Sequence, residues 1–433
     1  MPDPWPRSAR WTSAGLEVGG LAAADLAERF GTPLLVIDEA DLRERMRATA
    51  AVFPRVAYAV KAMTCAAVIR AALEEGLDLL CASGGEVATC LRSGSPASRL
   101  LLHGNAKTDD ELALAVDVGL GAVIVDGQEE LDRLASIARA AGASQPILLR
   151  VTPEVQVATH EAIATGHAAS KFGVPLAAAA EVARRAASTA GVRLIGLHAH
   201  AGSQVLDLEA HVRVLRALLR VADAAGIRPA VVDVGGGFGV TYTDETPSDP
   251  AAVAASLRRE LEAQGVDALL QVEPGRAIVA NPGVTVYRVL ARKHAAGRDL
   301  VAVDGGMSDN LRPALYDARH EVAAVGAHDS PTEQVTVVGR HCESGDLVAD
   351  DVSLPTGLAR GDLVAVAATG AYTYPLASAY NRFGRPAVVG VCDGEATLWI
   401  RREDADDMDR LDVILGTPWG AGSLPAAEGG ART

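Results

Sequence analysis

The sequence predicts a (β/α)8 barrel followed by an all-β domain, and three observations carry that prediction. Short apolar runs alternate with helical stretches between Val56 and Val272. Nearly every run passes at once into polar residues or glycine. From Gly283 onward apolar runs continue with no amphipathic helix between them.

Taken in order, residues 1–20 read as irregular, Leu21 to Phe30 as a helix and Pro33 to Ile37 as a strand. The runs expected to build the barrel are Val56–Val60, Leu77–Ala82, Leu100–His103, Ala122–Val125, Ile147–Val151, Leu194–His198, Val231–Val234 and Leu269–Val272. Asp109–Val118, Glu129–Ala141, Leu176–Ala190 and Leu208–Ala225 have helical spacing. An open doubly wound sheet is the alternative. The barrel is preferred because a closed sheet gathers the polar strand ends at one mouth, whereas an open sheet spreads them along an edge. Those ends are Lys61, Ser83 to Glu86, His103 to Asn105, Asp126, Arg150, His200 with Ser203, Gly235 to Gly237, and Glu273 with Arg276. Strands are then expected at Val284–Leu290, Leu300–Val303, Glu321–Val325, Gln334–Val338, Leu363–Ala367, Ala387–Val391 and Thr397–Arg401, as a β-barrel or sandwich. The expected units are an N-terminal segment 1–32 packing on the β-domain, the barrel 33–282, the β-domain 283–418 and a disordered tail 419–433.

Composition narrows the function. A net charge of −15 over 433 residues argues against nucleic acid or an anionic membrane as partner. The five cysteines have neither CxxC nor zinc spacing, so Cys65, Cys81, Cys90, Cys342 and Cys392 read as free thiols of a reducing compartment. With no export signal or membrane-length apolar run, a cytoplasmic protein is expected.

Lys61 ends a buried strand, where an ammonium is costly without a partner. It reads either as a snorkelling side chain or as a Schiff-base lysine. Gly235-Gly236-Gly237 follows the seventh run, where this kind of barrel binds phosphate through close backbone N–H groups. After the eighth run, Glu273 reads either as a solvated surface acid or as a carboxylate that holds a protonated ring nitrogen, with Gly275 then adding a backbone donor and Arg276 a fork for a carboxylate. His198 and His200 have the spacing of a metal pair on a strand, but no third ligand is apparent, and no metal is expected. Lysine, phosphate cradle, imidazole and ring-nitrogen carboxylate together describe a pyridoxal 5'-phosphate site.

These residues also carry a family resemblance. Tyr58 to Ala62, Ser83 to Glu86, His103 to Lys107, Lys171 to Gly173, His200 to Gln204, Gly235 to Gly237, Glu273 to Arg276, Met307 to Tyr316, His341 to Asp346, Gly370 to Tyr372 and Tyr380-Asn381 resemble the fold type III, alanine-racemase-like pyridoxal-phosphate decarboxylases, the diaminopimelate decarboxylase branch above all. The resemblance runs from about Val36 to Trp399. It implies Lys61 as the Schiff-base residue, His200 stacked on the cofactor ring and Glu273 at its nitrogen. Gly235, Gly236, Gly237, Gly275, Arg276, Ser203 and Tyr372 would serve the cofactor. Arg276, Arg312, Tyr316, Glu343 and Tyr372 would bind substrate. Cys342 as proton donor and Glu343 would reach in from the second subunit of a homodimer. Leu80 stands where these enzymes commonly carry an aspartate.

The implied reaction converts meso-2,6-diaminopimelate to L-lysine and CO2. The alternatives are a paralogous decarboxylase of a secondary-metabolite pathway and a non-catalytic cofactor-binding homologue. Such homologues usually lose the lysine or the cysteine, and this chain keeps both.

Overall fold

A computed structural model describes residues 3–155, 170–327 and 330–415; the expected tail at 419–433 lies outside them. The barrel forms and closes. Its eight parallel strands are Arg55–Ala59, Asp78–Cys81, Leu100–Leu102, Ala122–Val125, Gln145–Thr152, Val192–His198, Val231–Asp233 and Leu269–Val272. Each pairs with the next, and the eighth returns to the first through Gln271↔Arg55 and Val272↔Val56. That last pairing rules out the open sheet.

Side-chain alternation explains what fills the barrel. Ala57, Ala59, Leu80, Leu101, Ala122, Ile124, Leu148 and Val231 form a separate apolar cluster within the ring of strands. Residues of opposite parity, such as Leu79, Leu102, Val123 and Leu149, join the larger core beneath the helices. The helices begin and end on local chemistry. Asp109–Val118 opens on a capping box of Thr108 with Glu111, and Leu208–Ala225 starts at Asp207 and stops at Gly226, where φ is +65°.

The second domain is one mixed sheet of nine strands. Its main path runs Leu347–Pro355, Thr332–Val338, Arg298–Val303, Gly283–Ala295, Leu34–Asp38, Ala387–Cys392 and Glu395–Ile400, with Leu363–Val366 added on Gly283–Ala295 and Val322–Ala324 added on Leu363–Val366. Two pairings in it are parallel, Arg298–Val303 with Thr332–Val338 and Leu34–Asp38 with Ala387–Cys392. The strand Leu34–Asp38, which precedes the barrel in sequence, is therefore a central strand of this sheet. Trp5, Leu16, Val18, Leu26 and Ala27 of the N-terminal segment pack into the same apolar cluster as Leu34, Val36 and Val284. No helix among the described residues is long and apolar enough to cross a membrane.

Candidate active site at the barrel mouth

A cavity of about 360 Å³ opens where the C-terminal ends of the barrel strands face the second domain. Lys61, His200, Ser203, Gly237, Glu273, Gly275 and Arg276 line it from the barrel, and Arg312, Tyr316 and Tyr372 from the second domain. The strand Arg55–Ala59 passes into a single 3-10 turn, Val60–Ala62. Val60 and Ala62 are buried and Lys61, between them, is half-buried. Its Nζ has no hydrogen-bond or ion-pair partner among the described residues. Leu80 and Ala59 also line the cavity, so the second strand offers an apolar side chain there.

The glycine loop is built for close approach. At Gly236 a Cβ would stand 2.0 Å from the Glu273 carbonyl oxygen, and at Gly237, where φ is +86°, 2.1 Å from that of Gly202. The Gly235 N–H donates to Asp233 Oδ1 (2.8 Å) and the Gly236 N–H to His200 Nδ1 (3.1 Å). The Gly236 carbonyl lies 3.1 Å from His211 Nε2. The Gly237 N–H has no partner among the described residues. Burial holds the His200 imidazole well below its usual range, so it is neutral.

Two buried arginines stand beside this loop. Arg276 donates from Nη2 to Ser203 Oγ (2.8 Å) and from Nη1 to the Tyr242 hydroxyl. The Arg312 guanidinium lies 4.7 Å from the centre of the Tyr242 ring, and that of Arg276 4.8 Å from the centre of the Tyr372 ring. Neither forms an ion pair with a carboxylate among the described residues, and the Nε of each is buried without a hydrogen bond. Burying an unpaired guanidinium costs several kcal/mol, so this pair suits an anionic ligand.

Glu273 is buried at the end of the eighth strand. His198 Nε2 lies 3.1 Å from its Oε2, whereas Oε1 has no hydrogen-bond partner among the described residues. Burial pushes Glu273 up to about 7, against the pull of Arg150 and Lys61. Burial, followed by the charge of Glu273, pushes Asp233 up to about 7 as well. Ligand atoms of His198, Asp233 and Glu273 lie within 4.8 Å of one another, the spacing of a metal cluster. Asp233 is already held by Gln271 Nε2 and the Gly235 N–H, and the Arg150 charge acts on both carboxylates, so the geometry favours a hydrogen-bonded acid cluster. Both acids keep their protons to about pH 7 in the cofactor-free chain. Their unfolded values lie near 4, so these two groups bind more protons in the folded state between about pH 4 and 7, and their contribution to stability falls as pH rises through that window. Buried histidines such as His198 and His200, held below their usual range, contribute in the opposite sense, so the Glu273 contribution is read as a difference. The melting temperature of the cofactor-free wild type relative to Glu273→Gln should fall between about pH 5 and pH 7, and a difference that does not change with pH would contradict it.

Cys342 and Glu343 are not in the cavity. Both are exposed on the turn before Leu347–Pro355, where the Cys342 N–H donates to Asn381 Oδ1 (2.9 Å) and the Tyr380 hydroxyl lies 3.5 Å from Glu343 Oε2. Conversely, His103, Arg150, His198 and Phe172 line the cavity without having been assigned roles from the sequence, and Tyr242 carries both arginines beside it. A period-two count would have found two of them. His103 and Arg150 stand two residues beyond the barrel-filling Leu101 and Leu148, as Asp126 and Asp233 do beyond Ile124 and Val231. Tyr242 sits in a loop, with no periodic signal to mark it.

Comparison with known proteins bears on this geometry. Residues 39–280 match the family model described as pyridoxal-dependent decarboxylase, pyridoxal binding domain. The chain is 45% identical to a diaminopimelate decarboxylase of Actinosynnema pretiosum subsp. auranticum, over 94% of this chain and 95% of that one. It is 44% identical to the diaminopimelate decarboxylase of Mycobacterium tuberculosis strain H37Rv, over 95% and 98%. Among solved structures, diaminopimelate decarboxylase from M. jannaschii in complex with L-lysine superposes with a TM-score of 0.89 at 28% identity, covering 94% of this chain and 98% of that one. A lysine/ornithine decarboxylase from Vibrio vulnificus complexed with putrescine gives 0.75 at 25% identity, covering 86% and 97%.

Proposed function

Because the chain belongs to the pyridoxal-dependent decarboxylases, we propose that it converts meso-diaminopimelate to L-lysine and CO2. The observation that carries the substrate is the pair of buried arginines, Arg276 and Arg312, left without carboxylate partners among the described residues on one wall of the cavity. Diaminopimelate brings a second carboxylate, which lysine and ornithine lack, and a planar guanidinium fork matches it.

The cavity fits pyridoxal phosphate on its own terms. Among the described residues, Glu273 Oε1 is a buried acceptor with no donor and Lys61 a half-buried amine with no partner, and the glycine loop has no room for a Cβ. Lys61 would hold the cofactor through Nζ. Gly235, Gly236, Gly237, Ser203, Gly275, Arg276 and Tyr372 would serve its phosphate, His200 its ring face and Glu273 its ring nitrogen. When bound, the protonated pyridine ring takes up the electron pair left as CO2 departs. A cationic ring nitrogen opposite Glu273 favours the ionised carboxylate, which in turn keeps the proton on that nitrogen. The Arg276 guanidinium, Arg312 and Tyr316 would fix the distal carboxylate, so that the reacting carboxylate is the one at the other end.

Cys342 and Glu343 are exposed on this chain and lie outside its cavity. That placement supports the homodimer reading, in which each turn enters the other subunit's site. Cys342 would then deliver the proton to Cα, and Glu343 would accept the distal ammonium. Five unbridged cysteines support a cytoplasmic location. The test of the reading is release of CO2 together with L-lysine when the cofactor-loaded protein meets meso-diaminopimelate.

A further inference from the structure

A belt of polar side chains crosses the barrel directly beneath Glu273. Strand register sets Arg150 beside His198, His198 beside Asp233, and Asp233 beside Gln271, on four neighbouring strands. Arg150, His198, Asp233 and Gln271 are all buried. All four stand within two residues of the C-terminal end of their strands, where a barrel places its functional side chains. His198 stands at its centre, with Nε2 on Glu273 Oε2. We propose that His198 is a positioning residue that grips Glu273 by Oε2 and leaves Oε1 as the acceptor offered to the cofactor's ring nitrogen.

The tautomer follows from the contacts. His198 Nδ1 is buried with no hydrogen-bond partner among the described residues. A proton placed there would be an unpaired buried donor, and once Glu273 is ionised opposite a cationic ring nitrogen, a bare Nε2 would face its carboxylate oxygen lone pair against lone pair. A neutral ring protonated on Nε2 removes both penalties and lets Glu273 accept while ionised. Burial keeps the imidazole neutral by lowering it to about 4. The other charged or titratable groups acting on it point in both directions. Asp233 and Asp126 favour its cation, while Arg150 and Lys107 disfavour it. His103 and His200 are themselves held neutral by burial. A neutral donor orients the carboxylate without cancelling its charge, as a ring-nitrogen partner requires.

The inference rests on the family reading and on Glu273 as that partner, but not on which amino acid is decarboxylated. Its test is therefore cofactor titration. The proteins are wild type, His198→Ala, His198→Gln (whose amide can donate from nearly the same place) and Glu273→Gln, each stripped of cofactor and refilled with pyridoxal phosphate while visible absorbance is followed across pH. His198→Ala should bind the cofactor about tenfold or more weakly, the loss expected for one hydrogen bond to a charged group. Its absorbance–pH profile should shift, and kcat should fall with KM nearly unchanged. His198→Gln should recover most of the affinity and the profile. A His198→Ala protein that titrates like wild type would overturn the inference. So would a His198→Gln protein as impaired as His198→Ala, because packing of the ring would then be the whole effect. Wild-type affinity in Glu273→Gln would overturn both this inference and the placement of Glu273. The expected titrations combined with no turnover of diaminopimelate would support the inference and reject only the substrate.

Discussion

Lys61→Ala should remove the Schiff-base absorbance of the purified protein and lower CO2 release by several powers of ten. The expectation comes from position. Lys61 is a half-buried amine in the mouth cavity, carried on a one-turn helix between two buried residues, with no acceptor among the described residues. An amine so placed is held by backbone geometry and spared from competing ion pairs, as a Schiff-base lysine must be. The neighbouring wall, Ala59 and Leu80, makes no charged contact that the variant would disturb. The fold should therefore survive, and circular dichroism should show it. A variant that keeps the absorbance would place the attachment elsewhere.

A comparably large effect is expected from mixing two inactive proteins. Lys61 lies in the cavity, whereas Cys342 and Glu343 sit outside it on an exposed turn. In the shared-site reading each cavity is completed by the other subunit, and a two-fold interface builds two equal sites. Lys61→Ala and Cys342→Ala homodimers should each be nearly inactive. Dissociated and re-associated in equal amounts, they should recover roughly a quarter of wild-type activity, because half the dimers are mixed and each has one intact site. Tagged subunits that exchange without regaining activity would mean that each site is built from one chain.

Much of the fold was legible because local signals and tertiary demands agree. Asp109–Val118 and Leu208–Ala225 have the bounds expected from spacing, and in each a polar cap and a left-handed glycine mark the ends. Ala122–Val125 and Leu269–Val272 likewise match, since a buried parallel strand is a short apolar run with polar neighbours. Leu347–Pro355 was not anticipated. It lies at one end of the main path of its sheet, and its middle, Asp350 to Ser353, breaks the apolar run with two aspartates. Leu34–Asp38 is buried at all five positions, a pattern that suits a central strand of either domain. Only pairing with Gly283–Ala295 and Ala387–Cys392 assigns it to the second sheet. In the site, residues at strand ends were legible because a barrel gathers them. The belt of His198 and Asp233 was not, because its significance lies in register between strands distant in sequence.

The central claim is that this barrel mouth selects a substrate with a carboxylate at each end, and the ratio of kcat/KM for meso-diaminopimelate over L-lysine and L-ornithine tests it most directly. Arg312 and Arg276 are buried guanidinium groups with no carboxylate partner among the described residues, and a ligand that leaves them unpaired forfeits binding the site was built to make. The ratio should reach about 10⁴ or more, the discrimination seen when buried polar groups are deprived of their partner. A protein that decarboxylates L-lysine or L-ornithine as efficiently as meso-diaminopimelate would contradict the account.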